Sequence, residues 1–339
     1  MKKLSAVFVL FIFLVSLFYV SLPAASLAAD GPIKLNYSNF FPAPHKNSIL
    51  AESWCREIEK RTNGQVAISY FPGGTLVPSA QTYDGIVKGI ADIGFSVFGY
   101  TAGKFPLMEV TDLPLGYKSG SQATNMINAF YAKFQPKELD DVKVLYLHGH
   151  GPGLLHSKKP VSTLDDLKGV KVRATGVTAK IVTAFGGAPV GITMPETYES
   201  LRSGVVEGVM CPVESLKGWK LGEVITSTTL NYASAYSTAM FVIMNKERWA
   251  ALPPDVQKVF AEVSQEWILK QGKTWDEIDM EGMEFIKARG NKVITLSAEE
   301  DTKWAEKVKP LLEGYVTNTK AKGLPGDEAL KFCLEFLKK

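Results

Sequence analysis

The chain has 339 residues, 46% of them apolar and 11% aromatic, which supports a large packed core and excludes a disordered or fibrous chain. Thirty-eight Lys and Arg face 35 Asp and Glu, and Lys2 and Lys3 supply two of the three net charges. The near-neutral remainder argues against nucleic acid as a partner, because phosphate recognition relies on a basic surface. Cys55, Cys211 and Cys333 are too few for a disulfide scaffold and too far apart for a close metal-ligand spacing.

Met1-Lys2-Lys3 precedes a run from Leu4 to Leu22 that is apolar except for Ser5, Ser16, Tyr19 and Ser21. Small residues then lead to Asp30, so residues 1–29 read as a secretory signal cleaved at or one residue before Asp30. The alternative is an uncleaved anchor, since the run is nearly long enough to span a bilayer. No comparable apolar stretch follows, so the mature chain is expected to be soluble and periplasmic. Nucleotide-driven catalysis is disfavoured in such a compartment. An oxidising compartment allows a Cys55–Cys333 bridge, although buried free thiols are the simpler expectation.

Ile33 to Ser38 alternates as a first strand, and Phe40 to His45 is a loop. Ser48 to Arg61 is an amphipathic helix stopped by Asn63-Gly64, and Val66 to Phe71 is a second strand. Ser79 to Gly89 reads as a short helix and Ala91 to Phe95 as a strand, a βαβ order that predicts a mostly parallel sheet. A second series follows: strands at Val142–Leu147 and Leu154–Ser157, a short capped helix at Thr163–Gly169, and a strand at Val170–Arg173. Helices at Val177–Phe185 and Pro195–Ser203 come next, then strands at Glu207–Met210 and Phe241–Asn245. Pro254 to about Arg289 contains only two Gly and no further Pro, and predicts one unusually long helix. Lys292–Thr295 and two terminal helices close the chain.

The expected fold is α/β with two lobes and no flexible linker, so the chain must cross between lobes more than once. Lobe I is expected to comprise 30–150 plus about 240–285, and lobe II 151–239 plus about 286–339. Ligand sites in such sheets lie beyond the carboxyl ends of strands and between lobes.

Several segments carry a resemblance. They are Glu59-Lys-Arg-Thr-Asn-Gly64 leading into Tyr70-Phe-Pro-Gly-Gly-Thr-Leu76, then Val87-Lys-Gly-Ile-Ala-Asp-Ile93. The strongest runs from Lys159-Pro160 through Leu167-Lys-Gly-Val-Lys-Val-Arg173, followed by Glu196-Thr-Tyr-Glu-Ser-Leu201, Gly204 to Gly208, and Met244-Asn-Lys-Glu-Arg-Trp-Ala-Ala-Leu-Pro253. In order and spacing, residues 33–320 resemble the substrate-binding proteins of TRAP transporters, the dicarboxylate-binding (DctP) family of periplasmic solute receptors. The resemblance implies a type II-like periplasmic binding protein with a hinge, crossover strands and a long helix spanning both lobes. It implies a receptor, not an enzyme, that closes on an organic acid and docks on a membrane permease driven by a sodium gradient. The expected oligomeric state is a monomer, and no cofactor is expected.

Arg173 matches the family's carboxylate-binding arginine, and a guanidinium offers a carboxylate a planar, bidentate fork. Cys211 stands before Pro212 where many members have Asn, which implies a less polar wall. Met194 falls where the family often has an apolar or aromatic cleft residue. Several dicarboxylate receptors carry a second Arg shortly before the Lys-Pro segment, and His148 to His156 contains none. A monocarboxylate is therefore expected, or an acid whose far end is apolar, polar or aromatic. His148 and His150, on one face of a strand, could donate hydrogen bonds there. Phe41, His45, Tyr100, Trp219 and Tyr236 are the further candidate ligand contacts, although most aromatic residues are core.

Other function classes fit less well. The four His make no HxxxH or HExxH pattern, and Gly149-His-Gly-Pro-Gly153 matches no nucleotide-binding loop, so it reads as a tight lobe crossover. A Cys211–His148 thiol–imidazole pair would need groups that nothing in the sequence brings together. A binding protein of an ATP-driven importer or of a tripartite tricarboxylate system shares the lobed architecture and stands as the alternative.

Overall fold

The computed structural model describes residues 31–338; the segment read as a secretory signal lies outside the described residues. The first half-lobe runs β1 (Ile33–Asn39), α1 (Lys46–Arg61), β2 (Val66–Phe71), α2 (Thr82–Val87), β3 (Ile93–Val97), α3 (Gly120–Phe134) and β4 (Val142–Gly149). The chain then crosses through His150–Pro152. The second lobe is built from β5 (Gly153–Ser157), β6 (Lys171–Arg173), α4 (Val177–Ala184), β7 (Ala188–Val190), α5 (Met194–Arg202), β8 (Gly208–Pro212), α6 (Ser215–Gly218) and β9 (Ser227–Leu230). It returns as β10 (Ala239–Asn245), continues through α7 (Lys246–Ala250) and α8 (Pro254–Ala288), and ends with β11 (Lys292–Thr295), α9 (Ala298–Ala321) and α10 (Gly326–Leu337).

The strands form two sheets, ordered β2-β1-β3-β10-β4 and β11-β9-β5-β8-β6-β7. Each sheet is mixed, which corrects the mostly parallel expectation. β10 runs antiparallel to β3 and β4, and β5 runs antiparallel to β8 and β9. Both are the first strand after a crossover. The chain therefore enters each sheet from the cleft side, where β3 and β8 leave it, and must run against them.

Helix α8 has 35 residues and a length of about 52 Å. Val256, Phe260, Val263, Trp267, Gln271, Trp275, Ile278, Gly282 and Ile286 are buried along it at spacings of three and four, a single stripe facing inward. It packs on α1, α3 and β4 of the first lobe and on α6 of the second. At Gly282 a Cβ would lie 2.6 Å from the Val213 carbonyl oxygen and 2.8 Å from the Glu214 Cα, so only glycine lets the helix seat this closely.

Local differences have local causes. Residues 163–169 form only a single 3₁₀ turn at Asp165–Leu167, because Asp166 accepts from the Ser162 and Thr163 amides, each at 2.9 Å. Gly169, with φ of 71°, then turns the chain into β6. The terminal helix α10 packs on α3 and α9, which brings it to the first lobe's side. Cys55 and Cys333 are buried free thiols in separate core clusters, so no bridge joins them. No helix among the described residues is long and apolar enough to cross a membrane.

Candidate ligand cleft between the lobes

The carboxyl ends of β1, β3, β6 and β8 converge on one cavity of about 440 Å³, part of it open to solvent. β1 delivers Phe40 and Phe41, β3 delivers Tyr100, β6 delivers Arg173, and β8 delivers Met210, Cys211 and Pro212. Helix α8 contributes Trp275 to the wall. Of the ten residues named from the sequence, Phe41, Tyr100, His150, Arg173, Met194, Cys211, Trp219 and Tyr236 line it; His45 and His148 do not.

Arg173 is only 5% exposed. Its Nε–H donates to the Ile192 carbonyl at 2.7 Å, and an Nη2–H reaches the Tyr100 hydroxyl at 3.5 Å. A guanidinium has five N–H donors, so three have no protein partner among the described residues. That is an anion-binding fork at the wall of the cleft. The Tyr100 hydroxyl also accepts from the Met194 amide at 3.1 Å. One side chain of the first lobe thus holds both the arginine and the α5 N-terminus of the second.

The rest of the wall is mostly aromatic and apolar. Phe40 and Trp219 stack with centroids 6.0 Å apart and planes 16° apart, and Phe41 lies 5.4 Å from Trp219. Thr175, Thr178, Ser215 and Thr238 supply scattered hydroxyls. Phe40, an aromatic of the loop after the first strand, also lines the cavity, whereas Trp275 and Glu214 were not singled out from the sequence. They are 102 and 41 residues from Arg173, and the fold brings them here.

Burial keeps the histidines neutral. His150 is depressed to about 4 by burial, and its ring stands edge-on to Tyr236 at 5.4 Å. His148 is depressed to about 3, first by burial and then by His150. Its Nδ1 accepts from the Trp275 indole N–H at 3.0 Å, so it is a buried part of the β4–α8 packing and not a donor to the cavity. Of the two, His150 lines the cavity and His148 does not. His45 caps α1, its Nδ1 accepting from the Asn47 amide at 3.2 Å, and its Nε2–H donates across the lobes to Glu214 at 3.0 Å. The imidazole beside Cys211 is His156, whose Nε2–H meets the Cys211 carbonyl at 3.1 Å. Burial pushes the Cys211 thiol up to about 12, against the opposing pull of Arg173, so it is a weak neutral wall group.

The family model for bacterial extracellular solute-binding proteins, family 7 (DctP), matches residues 38–318. The chain belongs to this family. A TRAP periplasmic solute-binding protein from Desulfovibrio salexigens, solved as an open complex, is 35% identical; the match covers 90% of this chain and 95% of that one, with a TM-score of 0.79. A TRAP solute-binding protein from Rhodoferax ferrireducens, solved with co-purified benzoate, is 26% identical over 90% and 98% of the two chains, with a TM-score of 0.86. The 2,3-diketo-L-gulonate-binding periplasmic protein of Escherichia coli is 26% identical over 83% of this chain and 86% of its own length. The two-lobed α/β fold of this DctP-family chain is that of TRAP periplasmic binding proteins, and the family consists of solute receptors.

Proposed function

We propose that this DctP-family protein is a periplasmic receptor that clamps an organic monocarboxylate with an aromatic or otherwise apolar body, then hands it unchanged to a TRAP-type membrane permease. The observation that carries the reading is Arg173, a buried guanidinium with three uncommitted N–H groups in a wall of aromatic rings. Arg173 pairs with the carboxylate, while Phe40, Phe41, Trp219 and Tyr236 cover the body. Cys211 and Met194 keep that part of the wall apolar, and Tyr100 and His150 orient polar groups. The 1–29 segment directs export, and the mature receptor acts as a monomer.

Direct hydrogen bonds across the cleft, Tyr100 with Arg173 and Met194 and His45 with Glu214, support a closed conformation. Closure around ligand is a hinge motion that presents a changed surface to the permease. We assign lobe I to 30–150 plus about 240–285 and lobe II to 151–239 plus about 286–325, with α10 returning to lobe I through its packing on α3. The test is titration calorimetry of the mature protein with benzoate, mandelate, aliphatic monocarboxylates and dicarboxylates. Monocarboxylates should bind, and Arg173→Ala should weaken them about a hundredfold or more, the loss expected for two charge-assisted hydrogen bonds. Equal binding by Arg173→Ala would sink the reading.

A further inference from the structure

The cavity wall contains one fixed positive charge and one acid. Among the described residues that line it, Arg173 is the cation and Glu214 the acid. Glu214 is 2% exposed, and its position is set by three elements at once. Its amide donates to Asp279 of α8 at 3.0 Å, Gly282 of α8 presses on its backbone, and the Ser215 hydroxyl donates to its Oε1 at 2.8 Å. Its Oε2 takes the His45 Nε2–H, and the His45 tautomer is determined: Nδ1 accepts from the Asn47 amide, so the proton lies on Nε2. Both carboxylate oxygens therefore receive a donor, the pattern of an ionised group held in place.

Arg173 and Glu214 both line the cavity. Arg173 pairs with Val209 in β8, and Glu214 follows five residues further on, just past the strand's end. Cys211 of the same strand lines the cavity as well. An acid whose carboxylate sits on Arg173 shares the cavity with a negative charge and, among the described residues that line it, with no second cation.

We propose that Glu214 is a specificity-determining residue that rejects acids with a second carboxylate, by like-charge repulsion in a water-poor cavity. This rests on the monocarboxylate reading and gives it a cause beyond the missing second arginine. A cavity with only one cation would bind a diacid poorly for want of a partner. A cavity that also holds a fixed anion penalises it actively, and removing that anion relaxes the selectivity.

The experiment compares benzoate with terephthalate, which adds a carboxylate at the far end of the same ring, on wild type and Glu214→Gln by calorimetry. Gln keeps the shape and can still accept from His45 while losing the charge. The Kd ratio of terephthalate to benzoate is expected to fall about tenfold or more in the variant, with benzoate itself changed only a few-fold. An unchanged ratio with intact benzoate binding overturns the role of Glu214 and leaves the monocarboxylate reading standing. A wild type that binds no monocarboxylate overturns both. Should Glu214→Gln fail to fold, Glu214→Met, uncharged and of similar length, is read in the same way.

Discussion

Arg173 needs a neighbour to hold it, and that neighbour comes from the other lobe. The Tyr100 hydroxyl accepts from Arg173 Nη2 and from the Met194 amide, so its own O–H is left to turn toward the cavity. Tyr100→Phe removes this shared acceptor while keeping the ring. Benzoate binding should weaken about tenfold, the worth of one hydrogen bond to a charged group, with thermal stability little changed. Calorimetry beside a melting curve separates the two, and unaltered affinity would show that Arg173 is positioned by Ile192 alone. Arg173 was legible from its motif. Tyr100 could be named as an aromatic beyond a strand end, but its action on Arg173 could not be read, because the pair is 73 residues apart and meets only across the cleft.

Among the elements, α8 ties the lobes together, and two of its features were visible in the sequence to different degrees. Its length followed from a run without breakers, and its inward stripe followed from three- and four-residue spacing. The closeness of its seat did not. Gly282 could be replaced by alanine with a gain of about 1 kcal/mol if helix propensity alone mattered. Here a methyl group meets the Val213 carbonyl at 2.6 Å, so Gly282→Ala should instead cost about 1–3 kcal/mol, as overpacking does. Gly314 in α9, with nothing within 4 Å of its added Cβ, is the control, and Gly314→Ala should stabilise by up to about 1 kcal/mol. Urea denaturation of both variants checks the contrast; two changes of the same sign would refute the packing argument. The 120–134 helix and the β9 strand were not recognised beforehand. Their burial depends on neighbours distant in sequence: α3 is covered by α8 and α10, and β9 is held between β5 and β11.

For the whole molecule, buried titrating groups set the dependence of stability on pH. Burial depresses His148 to about 3 and His150 and His156 to about 4, so the unfolded chain binds more protons below about 6.5 and stability falls as pH drops from there. Burial raises Asp112 and Asp279 to about 8; their contribution is complete below the ordinary carboxylate range and is lost as pH rises toward and through 8. Three groups act on the acid side and two oppose them, whereas above about 6.5 only the carboxyl groups remain. The melting temperature should therefore peak near pH 6.5, and Asp112→Asn should flatten the alkaline decline. Scanning calorimetry from pH 4 to 9 tests this, and a stability rising steadily to pH 8 would contradict it.

The sequence by itself determined the family, the lobed α/β class, the long helix and the arginine, because local hydrophobic period and a contiguous motif encode all four. The crossings between lobes could be inferred as necessary but not drawn. Only the tertiary structure decided the mixed strand directions, since a strand that enters from the cleft must run against its neighbours. It also separated His45 and His148, which serve a helix cap and a core contact, from the residues that line the cavity. The presence of Arg173 and Glu214 in the wall of one cavity is likewise a tertiary fact. A net charge near zero conceals them, because summed charge carries no information about where two charges stand.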